Sequence, residues 1–253
     1  MAEQPHQEGG ARTARQALRR AALLTSGAGV GFGVLTIASW LLLAQAGDGL
    51  ADVDDPYEYY QSGNAWGSEL AGLYLLPFAA ILFLWFIVAL RGWIRGTQQR
   101  RNLLISDVQL VSGMVFTAVF LVGAGAIATA IIVAQTAPGQ LSTSSLVALA
   151  GFGTTLMSVM GVRIAAIFVI ATASLGMTTG VLPRWFNLVS YAFGLILMLT
   201  PIVASALMLA FPVWIIVLSV MLLYHLTSLE PEEIPGFAAR YAERVAANAT
   251  ADD

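Results

Sequence analysis

Apolar residues in this chain fall into long runs, not into an alternating or one-sided pattern. The runs lie at about Ala21 to Ala46, Leu70 to Leu90, Val108 to Ala134 and within Ser145 to Thr178. A last stretch, Leu188 to Leu229, is roughly twice the ~20 residues that one helix needs to cross a bilayer. These runs are apolar on all sides, whereas barrel strands alternate toward a polar lumen. An uninterrupted helix satisfies its own backbone groups in lipid. The pattern predicts an all-α fold, a polytopic transmembrane helix bundle of six spans. The last stretch folds as a hairpin broken near Phe211-Pro212. Pro77 and Pro201 predict kinks in the second and fifth helices. A rival reading splits the fourth run around Gly161-Val162-Arg163 and gives seven spans. Each half would then hold only about 17 residues, and no Pro, Asn or Asp marks a turn there.

The polar segments divide the chain and orient it. Residues 1–20 form a polar tail with Arg12, Arg15, Arg19 and Arg20. Residues 21–229 form the transmembrane domain. Residues 230–253 form a charged tail in which Phe237, Tyr241 and Val245 predict a short amphipathic helix. The first loop carries Asp48, Asp52, Asp54, Asp55 and Glu58 with no basic residue, and Glu69 stands at its end. The second loop carries Arg91, Arg95, Arg100 and Arg101. Arginine on the cytoplasmic side places both termini and the second loop in the cytoplasm of a plasma-membrane protein. Ala44-Gln45-Ala46 resembles a signal-cleavage site, but the apolar run before it is about twice a signal core, so it reads as the first helix.

Composition narrows the chemistry. Of 253 residues, 58% are hydrophobic and 11% charged, against about 25% charged in a soluble domain. There is no cysteine, and all twelve basic residues are arginine, so thiolate, Schiff-base lysine and Walker-lysine chemistry are excluded. Two distant histidines, His6 and His225, build no metal site, and the acidic loop lacks the glycine and glutamate of a calcium loop. A net charge of −3 argues against nucleic acid. The partner that follows is the lipid bilayer, and no cofactor is called for. Small residues at Gly27/Gly31, Gly29/Gly33, Ala124/Ala128, Ala126/Ala130, Gly151 and Gly153 predict close helix packing. They leave a homo-oligomer or a membrane partner open.

Arg163 is the most informative single residue. An arginine at mid-membrane costs about 2.5–3.5 kcal/mol on insertion scales, and such residues usually face a partner or an aqueous path. Glu69, the acid at the outer end of a helix, is the expected partner. In the alternative, the fourth helix starts late and Arg163 snorkels at the outer interface. Arg163 and Glu69 form the candidate intramembrane polar site.

Three segments carry a resemblance: Arg163-Ile-Ala-Ala-Ile-Phe168, Gly180-Val-Leu-Pro-Arg-Trp185, and Phe211-Pro-Val-Trp214 with Ser219. They resemble an uncharacterised family of bacterial, mostly actinobacterial, six-helix integral membrane proteins. The resemblance spans the last three helices and implies plasma-membrane location and helix number, but no activity. The sequence points to a non-enzymatic membrane protein. A small-molecule or ion transporter with its site near Arg163, and an accessory or scaffold subunit of a membrane complex, are the concrete alternatives.

Overall fold

A computed structural model describes residues 5–51, 56–61, 65–97, 103–180, 182–199 and 205–228. Among these the chain is helical throughout. Helix α1 is Pro5–Ala51 and α2 is Pro56–Gln61. Helix α3 joins Trp66–Glu69, a π-turn at Leu70–Leu75, and Leu76–Thr97. Helix α4 is Leu103–Thr136. Helix α5 joins Thr143–Thr155, a π-turn at Leu156–Gly161, and Val162–Thr179. Helix α6 is Arg184–Leu199 and α7 is Ser205–Ser228. Four helical stretches, Ala22–Gly47, Trp66–Gly92, Leu104–Thr136 and Thr143–Thr179, are long and apolar enough to cross a membrane. Arg184–Leu199 and Leu209–Tyr224 are shorter apolar helices.

Several expectations change at this level. The fourth run is one continuous helix from Thr143 to Thr179, so the seven-span split at Gly161-Val162-Arg163 is not found. The hairpin does not break at Phe211-Pro212. Both residues lie inside α7, which begins at Ser205, while α6 ends at Leu199. Pro212 stands eight residues into α7, so it forgoes one interior backbone bond, and its side chain is buried in the bundle. Pro201 falls in that interval, outside the described residues. Pro77 expresses itself as a π-turn. A proline cannot donate to the carbonyl four residues back, and just before it the Leu76 N–H reaches back to the Ala71 carbonyl instead. The polar tail before Ala21 continues α1. The predicted amphipathic helix in 230–253 lies outside the described residues.

An aromatic cluster fills the centre. Phe83 on α3 lies 4.7 Å from Phe32 on α1 and 5.0 Å from Phe116 on α4, measured between ring centroids. It lies 5.5 Å from Phe168 on α5 and 5.9 Å from Phe211 on α7. Trp214 on α7 extends the cluster to Phe186 on α6 at 6.1 Å. Ring pairs at these separations stabilise beyond the area they bury.

Glycines set the helix spacing. Gly29 of α1 lies against Ser219 and Phe86, and a methyl group at Gly33 would stand 2.9 Å from the Pro212 carbonyl oxygen. Gly123 on α4 and Gly153 on α5 face each other: a methyl at Gly153 would stand 2.5 Å from the Gly123 carbonyl oxygen. Gly27 and Gly151, by contrast, face open space.

The first loop folds back on the bundle. Tyr59 and Tyr60 of α2 are buried and join the core cluster that includes Ala46, Ala65, Ala134 and Leu146. The Tyr57 hydroxyl donates to the Leu141 carbonyl oxygen at 2.6 Å, tying α2 to the α4–α5 turn. Burial pushes the Tyr59 phenol above its ordinary pKa. Burial does the same to Tyr60, with repulsion from Tyr59 adding to it. The folded state therefore holds these protons above about pH 10, where the unfolded chain has released them. That contribution is complete below about pH 10 and is lost as pH rises through the folded pKa values. Alkaline titration followed by tyrosinate absorbance is expected to show two late-titrating tyrosines, both missing in the Tyr59→Phe/Tyr60→Phe double variant.

Candidate functional site

Two polar pairs mark the ends of the apolar bundle. At the loop end, Gln135 of α4 donates its Nε2–H to Glu69 of α3. At the arginine end, Arg91 of α3 forms an ion pair with Asp107 of α4. Glu69 and Arg91 are about 33 Å apart along α3 at about 1.5 Å per residue, close to the thickness of a bilayer's hydrocarbon core. Trp66 and Tyr74 are exposed toward the loop end, Trp185 and Tyr224 toward the arginine end, as in membrane aromatic belts.

Arg163 lies well inside these limits. It is half-buried on α5, just past the π-turn, and its Nη1–H donates to the Val159 carbonyl oxygen at 2.8 Å. Helix α5 starts at Thr143, about 30 Å before Arg163 along the axis. The expectation of a late-starting helix with Arg163 at its outer edge is thereby corrected. Gly161 faces Phe116 across α4, whereas Gln135 lies about 28 Å further along that helix. Glu69 and Arg163 are therefore not brought together. Each has its own partner at a different depth. A search for opposite charges missed Gln135 because a neutral amide serves Glu69 instead. Asp107 pairs with Arg91.

Arg163 also stands where α6 stops. Gly176 faces Asn187, the Ser174 and Tyr191 hydroxyls lie 2.7 Å apart, and Gly194 faces Ala166 and Ile170. That antiparallel register carries Leu199, the last residue of α6, to the level of Arg163. Beyond it, the Thr143–Met160 part of α5 has no α6 beside it and exposes Val147, Phe152 and Met160.

A second group of polar side chains lies nearer the arginine end. Thr25 on α1 and Gln109 on α4 are each two helical turns from Phe32 and Phe116, on the same helix faces. Thr172 is one turn from Phe168 on α5. All three are buried. Thr172 donates to the Phe168 carbonyl oxygen at 2.8 Å. Ser106, one turn beyond Gln109, is fully buried. Ile87 faces Gly113, and Arg91 pairs with Asp107, so Arg91 and Gln109 share one level of adjacent helices. Neither amide atom of Gln109 has a protein partner, nor have the Ser106 hydroxyl and Arg91 Nε. Gln109 was not among the candidates from sequence. Its position seven residues before Phe116, on one face, was the available signal. Among the described residues, no group of three His, Asp or Glu side chains converges as a metal site.

Comparison with family models, with curated proteins and with solved structures finds no match.

Proposed function

We propose that this chain is a six-span plasma-membrane protein with cytoplasmic termini, working without catalysis as an accessory or scaffold subunit of a membrane complex. The observation that carries this reading is the aromatic centre, where rings from five helices meet at 4.7–5.9 Å. Helices α1, α3, α4 and α5 supply four crossings. The six-span reading counts the α6–α7 pair as two more, α6 rising about 24 Å to end level with Arg163, with water reaching that end from the outer side. Arginines at one end and acids in the first loop support the orientation.

Purified from its native membrane in mild detergent, the chain is expected to migrate with a second membrane protein in fixed ratio. Reconstituted alone in liposomes, it is expected to pass neither ions nor small solutes. Solute passage by the purified chain alone would overturn the scaffold reading.

The transporter reading draws on one observation, the half-buried Arg163 at mid-depth. Arg163→Ala separates the two. On the scaffold reading the variant loses only one hydrogen bond to Val159 and a membrane arginine, so folded protein is recovered. Loss of an uptake activity with unchanged abundance would favour transport.

A further inference from the structure

We propose that the bare half of α5, with Arg163 at its base, is the docking face for one transmembrane helix of the partner protein, and that this helix carries an aspartate or glutamate at mid-membrane depth. The proposal names the contact face of the scaffold reading and rests on that reading. Helix α6 fills only part of one lane along α5. Its Gly194 meets Ala166 and Ile170, and its Tyr191 meets Ser174. Arg163 lies three and seven residues before Ala166 and Ile170, on that same face, and α6 ends level with it at Leu199. Next along α5 comes the π-turn at Leu156–Gly161. A π-turn takes one residue more than an α-turn, which rotates the helix face by about 100°. Allowing for that residue, Thr155, Gly151, Ala148 and Ser144 fall about 7, 11, 14 and 18 residues from Arg163, all on its own face. In an uninterrupted α-helix they would point about 90° to one side. All four are exposed, and a side chain at Gly151 would meet nothing within 4 Å. The π-turn therefore lines up Arg163, the lane of α6 and a strip of small residues that α6 does not cover.

Charge selects the occupant. The Arg163 Nη1–H donates to the Val159 carbonyl oxygen, which draws the guanidinium one turn into the empty part of the lane. Among the described residues Arg163 has no acidic partner, the one ion pair being Arg91 with Asp107. Across Ala22–Gly47 and from Leu70 to Leu229, Asp107 is the sole acid in the sequence. Neither this chain nor a second copy can therefore supply the missing charge, and a second copy would set arginine against arginine at one depth. What remains to Arg163 is its own backbone and the water that reaches the end of α6. Ionisable groups at this depth pair with an opposite charge. Lipid phosphates stay at the headgroup level, whereas a carboxylate on a helix can be carried to mid-depth and held there by two parallel bonds from the guanidinium. The strip supplies the second half of the fit. Small side chains let a second helix backbone come close, and a right-handed crossing of about −40° leans that helix clear of the end of α6.

A photoreactive phenylalanine analogue placed at Thr155, or at the lipid-facing Trp85 of α3 as control, tests the face in the native membrane. The Thr155 probe is expected to link to one membrane protein, within a transmembrane segment that carries an aspartate or glutamate, and the Trp85 probe to lipid alone. Arg163→Ala is expected to lower that adduct and the co-purified partner roughly tenfold or more, because the partner's carboxylate is left unpaired in the membrane. The thermal midpoint of the purified chain should stay where it was, and Arg163→Lys should restore much of the adduct. Ala148→Phe, which only adds bulk to the exposed strip, should also lower the adduct, and it keeps the comparison if Arg163→Ala fails to fold. An adduct from Thr155 to lipid alone, or to a second copy of this chain, would overturn the proposal. So would a partner that stays bound in both variants, which leaves the scaffold reading standing and moves its contact elsewhere. Absence of any partner from the native membrane would remove the scaffold reading and this face together.

Discussion

Gly153→Val is expected to prevent assembly of the bundle. Even a methyl group at this position would stand 2.5 Å from the Gly123 carbonyl oxygen and 2.9 Å from Ile127 Cγ1. The reciprocal substitution at Gly123 meets the Gly153 carbonyl oxygen at 2.9 Å. These neighbours include main-chain oxygens, which cannot rotate away as a side chain does. Overpacking that side chains can absorb costs about 1–3 kcal/mol. Here α4 and α5 must separate as backbones, and the Thr143–Met160 half of α5 has no α6 to hold it. The expected loss therefore exceeds that range and consumes much of the ~5–15 kcal/mol that holds a typical fold. Size-exclusion chromatography in detergent should show aggregate in place of a single species. Gly151→Val is the control, because nothing lies within 4 Å of that position. It should behave as wild type, and equal loss in both variants would show that the glycine pair does not set the spacing.

The second large effect is expected at the ring at the centre. Phe83→Ala removes contacts with Phe32, Phe86, Phe116, Phe168 and Phe211 together. Truncating a fully buried phenylalanine costs about 3–5 kcal/mol, part of it from the cavity left behind. Five helices share this contact, so the loss should appear as a lower midpoint of one cooperative thermal transition. Trp85→Ala, two residues away on the same helix, removes a larger side chain that is 70% exposed. Its midpoint should move far less. A larger shift for Trp85 than for Phe83 would contradict a rigid aromatic centre.

Much of the architecture could be read from the amino-acid order, and the failures have physical causes. The four long helices follow from run length and from the scarcity of charge within the runs, where Arg163 is the one exception, and both survive any detail of packing. The hairpin break was misplaced because Phe211-Pro212 looks like a stop signal. Pro212 instead lies inside α7, where its side chain is buried and α1 presents Gly33 close to the Pro212 carbonyl. The aromatic centre left no trace in periodicity, since helices apolar on every side do not show which face turns inward. Gly31, Gly29 and Gly33 were read as packing residues and do meet other helices. Gly123, the partner that makes Gly153 matter, was not singled out; it stands two residues from Gly125 in an alanine-rich run, and neither has a second glycine four residues away to mark a face. Glu69 and Arg163 were paired on charge alone. Depth decided otherwise, with Glu69 level with Gln135 and Arg163 level with the end of α6.

We propose six crossings with both termini in the cytoplasm, and the short α6–α7 hairpin decides between six crossings and four. Single cysteines at Ser142, Gly180 and Ser205, labelled in intact cells with an impermeant maleimide, test it most directly. The account predicts that Ser142→Cys and Ser205→Cys are labelled from outside, while Gly180→Cys is labelled only after the membrane is opened. Labelling of Gly180→Cys from outside, or no labelling of Ser205→Cys until the membrane is dissolved, would contradict it: the first inverts the topology, and the second leaves four crossings and a hairpin that turns back within the bilayer.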